Sequence, residues 1–179
     1  MSNVIGRDLA QAPTNGLLGA LAYWSRAQLE AHINRRLIVE EQQANGVGGG
    51  SISSANTWFT RTLNVEVVNT IPGASLASNL ITLPPGTYRV TGSAPVYASN
   101  YHKCRIYNVT AGAVVTTALG TSEYAPSNQG RSWIDGVIVL TETSTLRLEH
   151  CVSNPNTWGL PAGLGLPEVY SRLAIQKVS

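Results

Sequence analysis

The side chains that could support acid–base chemistry are few in this sequence. The only aspartates are Asp8 and Asp135, and the glutamates are scattered, so no two carboxylates have the local spacing of a glycosidase site. Asp135 lies in a strongly apolar segment, where an acid is either a catalytic group with a shifted pKa or one half of an ion pair. We favour the ion pair. The candidate partners are Arg89, Arg105, Arg131 and Arg147.

Two histidines and both cysteines, His102, Cys104, His150 and Cys151, lie in two strand-like segments. If those strands were neighbours, the four side chains could form a metal cluster, a Cys/His pair or a single disulfide. Alternation along a strand puts His150 and Cys151 on opposite faces, however, and no metal or nucleophile motif accompanies them. We therefore interpret the cysteines as small apolar groups and His150 as an internal hydrogen-bonded residue. The sequence predicts no metal, no cofactor and no enzymatic activity.

Four aromatic residues at strand ends or in loops are the candidate ligand-binding residues: Tyr97, Tyr101, Tyr124 and Trp158. Their rings could stack on the apolar faces of sugars, or they could fill an interface between subunits, because aromatic side chains are enriched in both settings. The sequence leaves both interpretations open.

Composition excludes several classes of partner. Charged residues are 12% of the 179 residues, the net charge is +2, and no basic cluster is larger than Arg35-Arg36, so nucleic-acid binding is not expected. No window of about 18 continuous apolar residues and no signal-peptide pattern occurs, so neither membrane insertion nor export is expected.

The N-terminal part of the sequence reads as a helix. Residues 1–13 carry little pattern, and from Leu17 to about Gln43 there is no proline and, after Gly19, no glycine. We predict that residues 1–46 form an arm and one long packing helix that anchors the protein to other components, with a short trimeric coil as the alternative. The candidate anchoring residues are Leu18, Trp24, Leu29, Ile33 and Leu37.

After this helix the sequence predicts a flexible link and a β-domain. Residues 47–54 are rich in glycine and serine, which suits a hinge. In residues 55–179 short alternating segments are separated by turns, without helical spacers, which predicts an antiparallel β-sandwich of the jelly-roll class. Leu80 to Val96 reads as a turn followed by an inner-sheet strand, and Gly92 would permit close approach by a neighbouring backbone or subunit. Trp133 to Leu140 is apolar on both faces and reads as a central strand.

A series of short motifs in residues 55–179 resembles a module found at the ends of bacteriophage tail fibres and related virion appendages. That module is similar to the trimeric jelly roll of the tumour-necrosis-factor and complement type. The motifs are PPGTYRV (84–90), HKCRIYNVTAG (102–112), GTSEY (120–124), SWIDG (132–136), LRLEHC (146–151) and EVYSRLAI (168–175).

The resemblance implies a homotrimer in the virion, with apolar inner faces and binding by exposed loops. Other virion proteins would be contacted through the N-terminal region, and host-surface polysaccharide is the expected ligand. A fibre or spike that binds the host is one expectation. The alternatives are a capsid decoration or head-fibre protein, a small polysaccharide-degrading hydrolase on the same scaffold, and a free monomeric sugar-binding module.

Overall fold

The computed structural model describes residues 35–179, and within them all regular structure is β-strand. In this part of the chain there is no helix long and apolar enough to cross a membrane. The strands are β1 (Arg36–Gln43), β2 (Phe59–Thr60), β3 (Val65–Asn69), β4 (Ser75–Ala77), β5 (Leu80–Leu83), β6 (Gly86–Tyr97), β7 (Asn100–Asn108), β8 (Ala113–Leu119), β9 (Glu123–Ala125), β10 (Gln129–Leu140), β11 (Ser144–Val152) and β12 (Glu168–Lys177).

These strands form two antiparallel sheets that pack face to face. Sheet A has five strands in the order β10-β6-β12-β1-β3. Sheet B has seven strands: five follow the order β4-β5-β11-β7-β8, while β2 pairs with β11 and β9 pairs with β7. Neighbours in each sheet are mostly distant in sequence, as in a jelly roll. The predicted antiparallel jelly-roll sandwich is therefore confirmed.

The core lies between the two sheets and is built from alternate residues of each strand. In β6 the inward side chains Tyr88, Val90 and Ala94 are fully buried, as the sequence predicts for one face of a strand. The Tyr88 hydroxyl donates to the Pro84 carbonyl oxygen at 2.7 Å, so even its polar end is satisfied. Each buried branched aliphatic side chain contributes about 1.5–3 kcal/mol through burial. Other core members are Leu37, Val39, Leu83, Ile106, Leu146, Leu148, Leu173 and Ile175.

Gly92 lies in the middle of β6, where β12 passes close by. A Cβ atom at this position would lie 2.5 Å from Leu173 Cδ2 and would also overlap the carbonyl oxygen of Arg172. The close neighbour is thus the adjacent strand of the same chain.

Gly92→Val is expected to lower the free energy of unfolding by about 3 kcal/mol or more, because the added side chain meets backbone that cannot move aside. For a domain of this size that corresponds to a fall in Tm of roughly 6–12 °C. Thermal unfolding at one fixed protein concentration measures it. Gly112→Ala is the control: its Cβ meets open space, and only the positive φ of 63° opposes it. Equal stability of the Gly92 variant and wild type would contradict the packing described here.

The prediction of a helix up to Gln43 is wrong for its last part, because residues 36–43 form strand β1. This strand pairs with β12 on one side and with β3 on the other. Leu37 and Val39 are fully buried and alternate with side chains on the outward face. The local helix propensity is overridden because pairing with two strands and burial of alternate side chains contribute more than propensity does. Residues 1–34 of the predicted helix lie outside the described residues.

The predicted flexible link at 47–54 is instead packed against the loop before β12. Gly49 N donates to Gly159 O at 3.0 Å, and Ile52 is buried in a small second core. A Cβ atom at Gly49 would lie only 3.1 Å from the carbonyl carbon of Trp158. Glycine here permits close backbone approach rather than flexibility. The β-domain therefore begins at β1, inside the compact unit Arg35–Ser179, and not at residue 55.

Strand β10 is an edge strand of sheet A, not the central strand that its composition predicts. It pairs with β6 over twelve residues, while its other edge is touched by β8 and the following turn through the Gly120 to Ile134 bridge. One of its faces enters the core through Ile134 and Ile138. Its other face also carries apolar side chains but is exposed in the single chain. Because both faces are apolar, the sequence alone predicts burial of both.

Candidate functional site

An exposed pair of tyrosines marks one end of sheet B. Tyr101 in β7 lies directly opposite Tyr124 in β9, and the two ring centroids are 4.7 Å apart with a tilt of 36°. Their exposed fractions are 68% and 56%. This separation lies in the favourable range for aromatic pairs, so each ring holds the other while both faces of the pair stay accessible. The structure thus brings together two of the four predicted ligand-binding aromatics.

A shallow groove of about 320 Å³ adjoins Tyr101 on the outward face of sheet B. Trp58, which directly precedes β2, forms part of its wall, and Lys103 and Cys151 face each other across the β7–β11 pair. Asn56, Ser122, Glu123 and Ser153 complete much of the polar lining. The groove therefore combines an indole ring and a phenol ring with hydrogen-bonding groups, which is the usual composition of a ligand site.

The indole of Trp58 is held in place by a chain of charged side chains. The Arg105 guanidinium lies over the Trp58 ring, 3.8 Å from its centroid, and its Nε donates to Glu149 Oε2 at 2.6 Å. Arg147 donates to the other carboxylate oxygen at 2.7 Å, and the Glu149 side chain is only 2% exposed. Cation–π contacts and a carboxylate shared by two arginines fix the orientation of this wall.

Lys103 is the lysine that lines the groove. Among residues 35–179 it has no hydrogen-bond or ion-pair partner, whereas Arg105 is neutralised by Glu149. The carboxylate of Glu123 also lines the groove and accepts a hydrogen bond from Thr121 at 2.8 Å. The groove therefore offers a positive group that is free to meet a ligand.

The other two predicted ligand-binding residues lie elsewhere. Trp158 is packed inside: its ring stacks on His150 at 5.4 Å, contacts Phe59 edge to face, and lies 4.4 Å from the Arg61 guanidinium. Tyr97 ends β6 in sheet A, half-buried, and its backbone N–H donates to Thr157 O. Neither belongs to the tyrosine groove.

Sequence reasoning missed Trp58, Lys103 and Arg105 as site residues. The alternation of side chains along β7 was a signal that could have identified two of them. Every second residue of this strand points inward, so the outward side is shared by Tyr101, Lys103, Arg105 and Tyr107. Trp58 carries no such signal, because its place depends on a two-residue strand that joins β11 far along the chain.

A buried polar cluster lies beneath this sheet. Arg61 is 1% exposed; its Nη2 donates to Glu41 Oε2 at 2.6 Å and its Nη1 donates to the Pro95 carbonyl oxygen at 3.1 Å. Ser171 Oγ also donates to the same glutamate oxygen. Burial lowers the pKa of Arg61, and the Glu41 carboxylate opposes that shift. This ion pair joins β1 to the chain after β2 and has a structural role.

Two histidines adjoin the cluster on the inner face of sheet B. His102 Nδ1 and His150 Nε2 are 3.0 Å apart, and both side chains are buried. Burial, aided by the charge of Arg61, lowers the pKa of His102 to about 4 although Glu123 acts the other way. Burial, Arg61 and His102 hold the pKa of His150 well below its usual value. The pair is therefore neutral at pH 7, which agrees with the internal histidine predicted from the sequence.

The stability of the domain is expected to fall as the pH is lowered from about 6.5 towards 4. In that window the unfolded chain binds protons on both imidazoles while the folded chain does not, so acid favours unfolding. Thermal unfolding at successive pH values measures the slope, and His102→Gln should make it shallower. A pH-independent Tm across this window would contradict the neutral buried pair.

The cysteines behave as separate thiols. Cys104 faces the core and Cys151 faces outward on the neighbouring strand, and both are free. Burial raises the pKa of the Cys104 thiol to about 11 and also raises that of Cys151. Within residues 35–179 no group of three or more His, Cys, Asp or Glu side chains has an arrangement that could hold a metal ion.

A second distinctive surface is the outward face of sheet A. Along β10 the side chains of Trp133, Val137 and Val139 are 57%, 45% and 68% exposed. A groove of about 400 Å³ lies beside Trp133, and the Arg172 and Ala174 side chains of β12 form its far side. Val137 and Val139 are neighbours on this face, and exposed apolar side chains of this kind commonly mark an interface between proteins.

Asp135 lies on this same outward face, paired as expected with an arginine. Arg89 Nη2 is 3.3 Å from Asp135 Oδ2, and both side chains are mostly exposed. Asp135 is therefore a surface ion-pair partner rather than a buried acid.

Of the predicted anchoring residues, Leu37 is in the core of the β-domain. Leu18, Trp24, Leu29 and Ile33 lie outside the described residues.

Comparison with solved structures identifies the fold. The globular domain of zebrafish complement 1qA protein superposes with a TM-score of 0.54 at 11% identity, covering 82% of this chain and 98% of that domain. Murine APRIL at pH 8.0 superposes with a TM-score of 0.52 at 9% identity, covering 80% and 98%. No protein-family model matches the sequence, and the search of curated proteins found no match. The fold is thus the tumour-necrosis-factor and complement-type jelly roll, as the sequence resemblance implies.

Proposed function

We propose that this chain is a non-enzymatic structural protein of a bacteriophage particle, a homotrimeric fibre or spike whose jelly rolls bind polysaccharide on the host surface. The observation that carries the proposal is that the two outward faces of one sandwich differ in chemistry. Along β10, sheet A presents exposed apolar side chains, whereas sheet B presents an aromatic groove with polar and charged lining.

Sheet A is the assembly face in this proposal. Trp133, Val137 and Val139 are exposed in one chain, and burial in a trimer would remove their apolar surface from water. Arg172 and Glu40, whose charged atoms are 3.1 Å apart, supply a polar margin. The resemblance of the sequence motifs to trimeric virion modules supports three copies.

Sheet B is the binding face. Tyr101 and Tyr124 provide a rigid aromatic platform for a pyranose ring, and Asn56, Lys103 and Glu123 provide hydrogen-bonding groups for its hydroxyls. One such shallow groove binds weakly. Three identical grooves on one trimer, and many trimers on one particle, multiply that affinity through effective concentration.

Residues 1–34 are proposed to contact other virion proteins, with Leu18, Trp24, Leu29 and Ile33 as the apolar contacts. A tail location makes the trimer a receptor-binding fibre or spike. A head location makes it a head fibre or capsid decoration.

Electron microscopy of phage particles labelled with an antibody against this chain tests the virion assignment. We expect label at a particle surface, and its place distinguishes head from tail; absence of label from purified particles would contradict the proposal. Purified protein should also compete with particles for adsorption to susceptible cells. Release of reducing ends from host polysaccharide by the purified protein would instead establish the hydrolase alternative.

A further inference from the structure

The groove on sheet B contains one feature that a site for neutral sugars does not require. Lys103 projects from the outward face of β7, between Tyr101 and Arg105 on the same face. The positive charge of Arg105 is neutralised by Glu149, with their atoms 2.6 Å apart, but Lys103 has no such partner among residues 35–179. An ammonium group left without a partner beside an aromatic platform is available for a ligand anion.

From this arrangement we infer that the groove recognises acidic polysaccharide, with the Lys103 ammonium binding a sugar carboxylate while Tyr101 stacks against a ring. The inference deepens the proposed function and rests on it. Successive outward residues of a strand are about 6.6 Å apart, so the ring platform and the ammonium group are separated by roughly the length of one sugar unit.

The charges around the groove agree with an anionic ligand. Within residues 35–179, Lys103, Arg105 and Arg147 are accompanied by Glu149 on this face and by Glu123 in the groove lining, and the Glu123 carboxylate accepts a hydrogen bond from Thr121. Three positive and two negative side chains leave a net charge of +1 around the groove. A uronic or sialic acid residue supplies the matching carboxylate together with an apolar ring face.

The walls of the groove are fixed before a ligand arrives. Arg105 covers one face of the Trp58 indole, and the carboxylate that holds Arg105 is itself held by Arg147. Tyr101 is ordered by Tyr124 and by hydrogen bonds between its backbone and Ser153, of 2.8 and 3.0 Å. Side chains that are already ordered lose little conformational entropy when a ligand binds. A small number of contacts can therefore be enough for binding.

The test is titration calorimetry of the full chain with two matched sets of probes. The first set is hyaluronan, oligogalacturonate and oligosialate fragments; the second is the same fragments after their carboxyl groups are reduced to alcohols. Because a hydrogen bond to a charged group is worth about 1.5–3 kcal/mol, Lys103→Gln should weaken binding of at least one acidic probe by about tenfold or more. The same substitution should leave binding of its reduced counterpart unchanged.

Three variants make the result specific. Lys103→Arg keeps the positive charge and should retain most of the affinity, whereas Tyr101→Ala should weaken both the acidic and the reduced probe. Val109→Ala, at an exposed valine that follows β7 and lies outside the groove lining, should change neither. Bound probe should also protect Cys151 from alkylation by iodoacetamide, because this thiol lines the groove while Cys104 is buried.

The inference fails if no acidic probe binds at millimolar concentration, or if Lys103→Gln binds the acidic probe as tightly as wild type. Equal affinity for the acidic and the reduced probes would also overturn the inference. That result would still agree with the proposal that the groove binds polysaccharide. The proposed function fails separately, when purified wild-type protein does not compete with particles for adsorption to cells. Adsorption and titration together therefore distinguish the two failures.

Discussion

Arg61→Met is expected to lower the free energy of unfolding of this domain by about 3–5 kcal/mol. The substitution removes the ion-pair partner of Glu41, whose side chain is 1% exposed. It also removes the donor to the Pro95 carbonyl oxygen and the contact with the Trp158 ring. Chemical denaturation, with the change taken at constant m-value, measures the loss.

The matched control is Arg89→Met, which breaks the exposed pair with Asp135. Both of its side chains are at least 60% exposed, so the expected loss is below about 1 kcal/mol. Light scattering should first establish that both variants keep the wild-type mass, because Arg89 lies on the outward face of sheet A. The double variant Arg61→Met with Glu41→Leu should recover much of the stability, since no buried charge is left unpaired. Equal losses in the buried and exposed pairs would contradict the role given to Arg61.

Trp133→Lys is expected to convert the proposed trimer into folded monomers. The indole is exposed in the isolated chain and lies on the outward side of β10, the edge strand of sheet A, beside a groove of about 400 Å³. Tryptophan anchors in interfaces commonly contribute about 2 kcal/mol or more, and the substitution places a charge at each of three equivalent contacts. The mass measured by light scattering should fall to that of one chain, 19.0 kDa.

Val109→Lys is the control for the assembly variant. It places the same charge at a valine that is 38% exposed but lies after β7, away from sheet A. It should keep the wild-type mass. Circular dichroism should show that Trp133→Lys remains folded. A Trp133→Lys protein that keeps three times the mass of one chain would contradict assembly through the surface around Trp133.

Local patterns predicted the β-domain well because its strands alternate regularly. Tyr88, Val90 and Ala94 in β6 show the period of two, and the structure buries all three. The same period of two predicted that His150 and Cys151 lie on opposite faces of the sheet, as they do. These predictions depend on the chain within one strand, which is what a sequence window contains.

The errors come from contacts between distant parts of the chain. β1 follows a sequence rich in helix-forming residues, and its strand conformation depends on β12, more than 120 residues later. The glycines at 48–50 read as a hinge because the loop at 156–161 that packs on them is equally distant. For β10, the apolar side chains of the outward face led to the prediction that this face is buried within the chain. Each case is one in which tertiary pairing, not local propensity, determines the outcome.

The candidate site was predictable only in part. The sequence identified exposed aromatics near strand ends, and Tyr101 and Tyr124 are indeed paired on the surface. Trp158 was misplaced because a tryptophan in a loop between Asn, Pro and Gly residues reads as exposed, whereas the loop folds inward over His150 and Arg61. Loop direction is set by the backbone hydrogen bonds to residues 49–52, which no local pattern reveals.

The most direct test of the account is the mass of the full-length chain in solution. Assembly of three jelly rolls through sheet A predicts a single species of about 57 kDa by light scattering, three times the chain mass of 19.0 kDa. A species of 19.0 kDa that persists at high protein concentration would contradict the account, because the apolar face of Trp133, Val137 and Val139 would then have no copy of the chain to cover it.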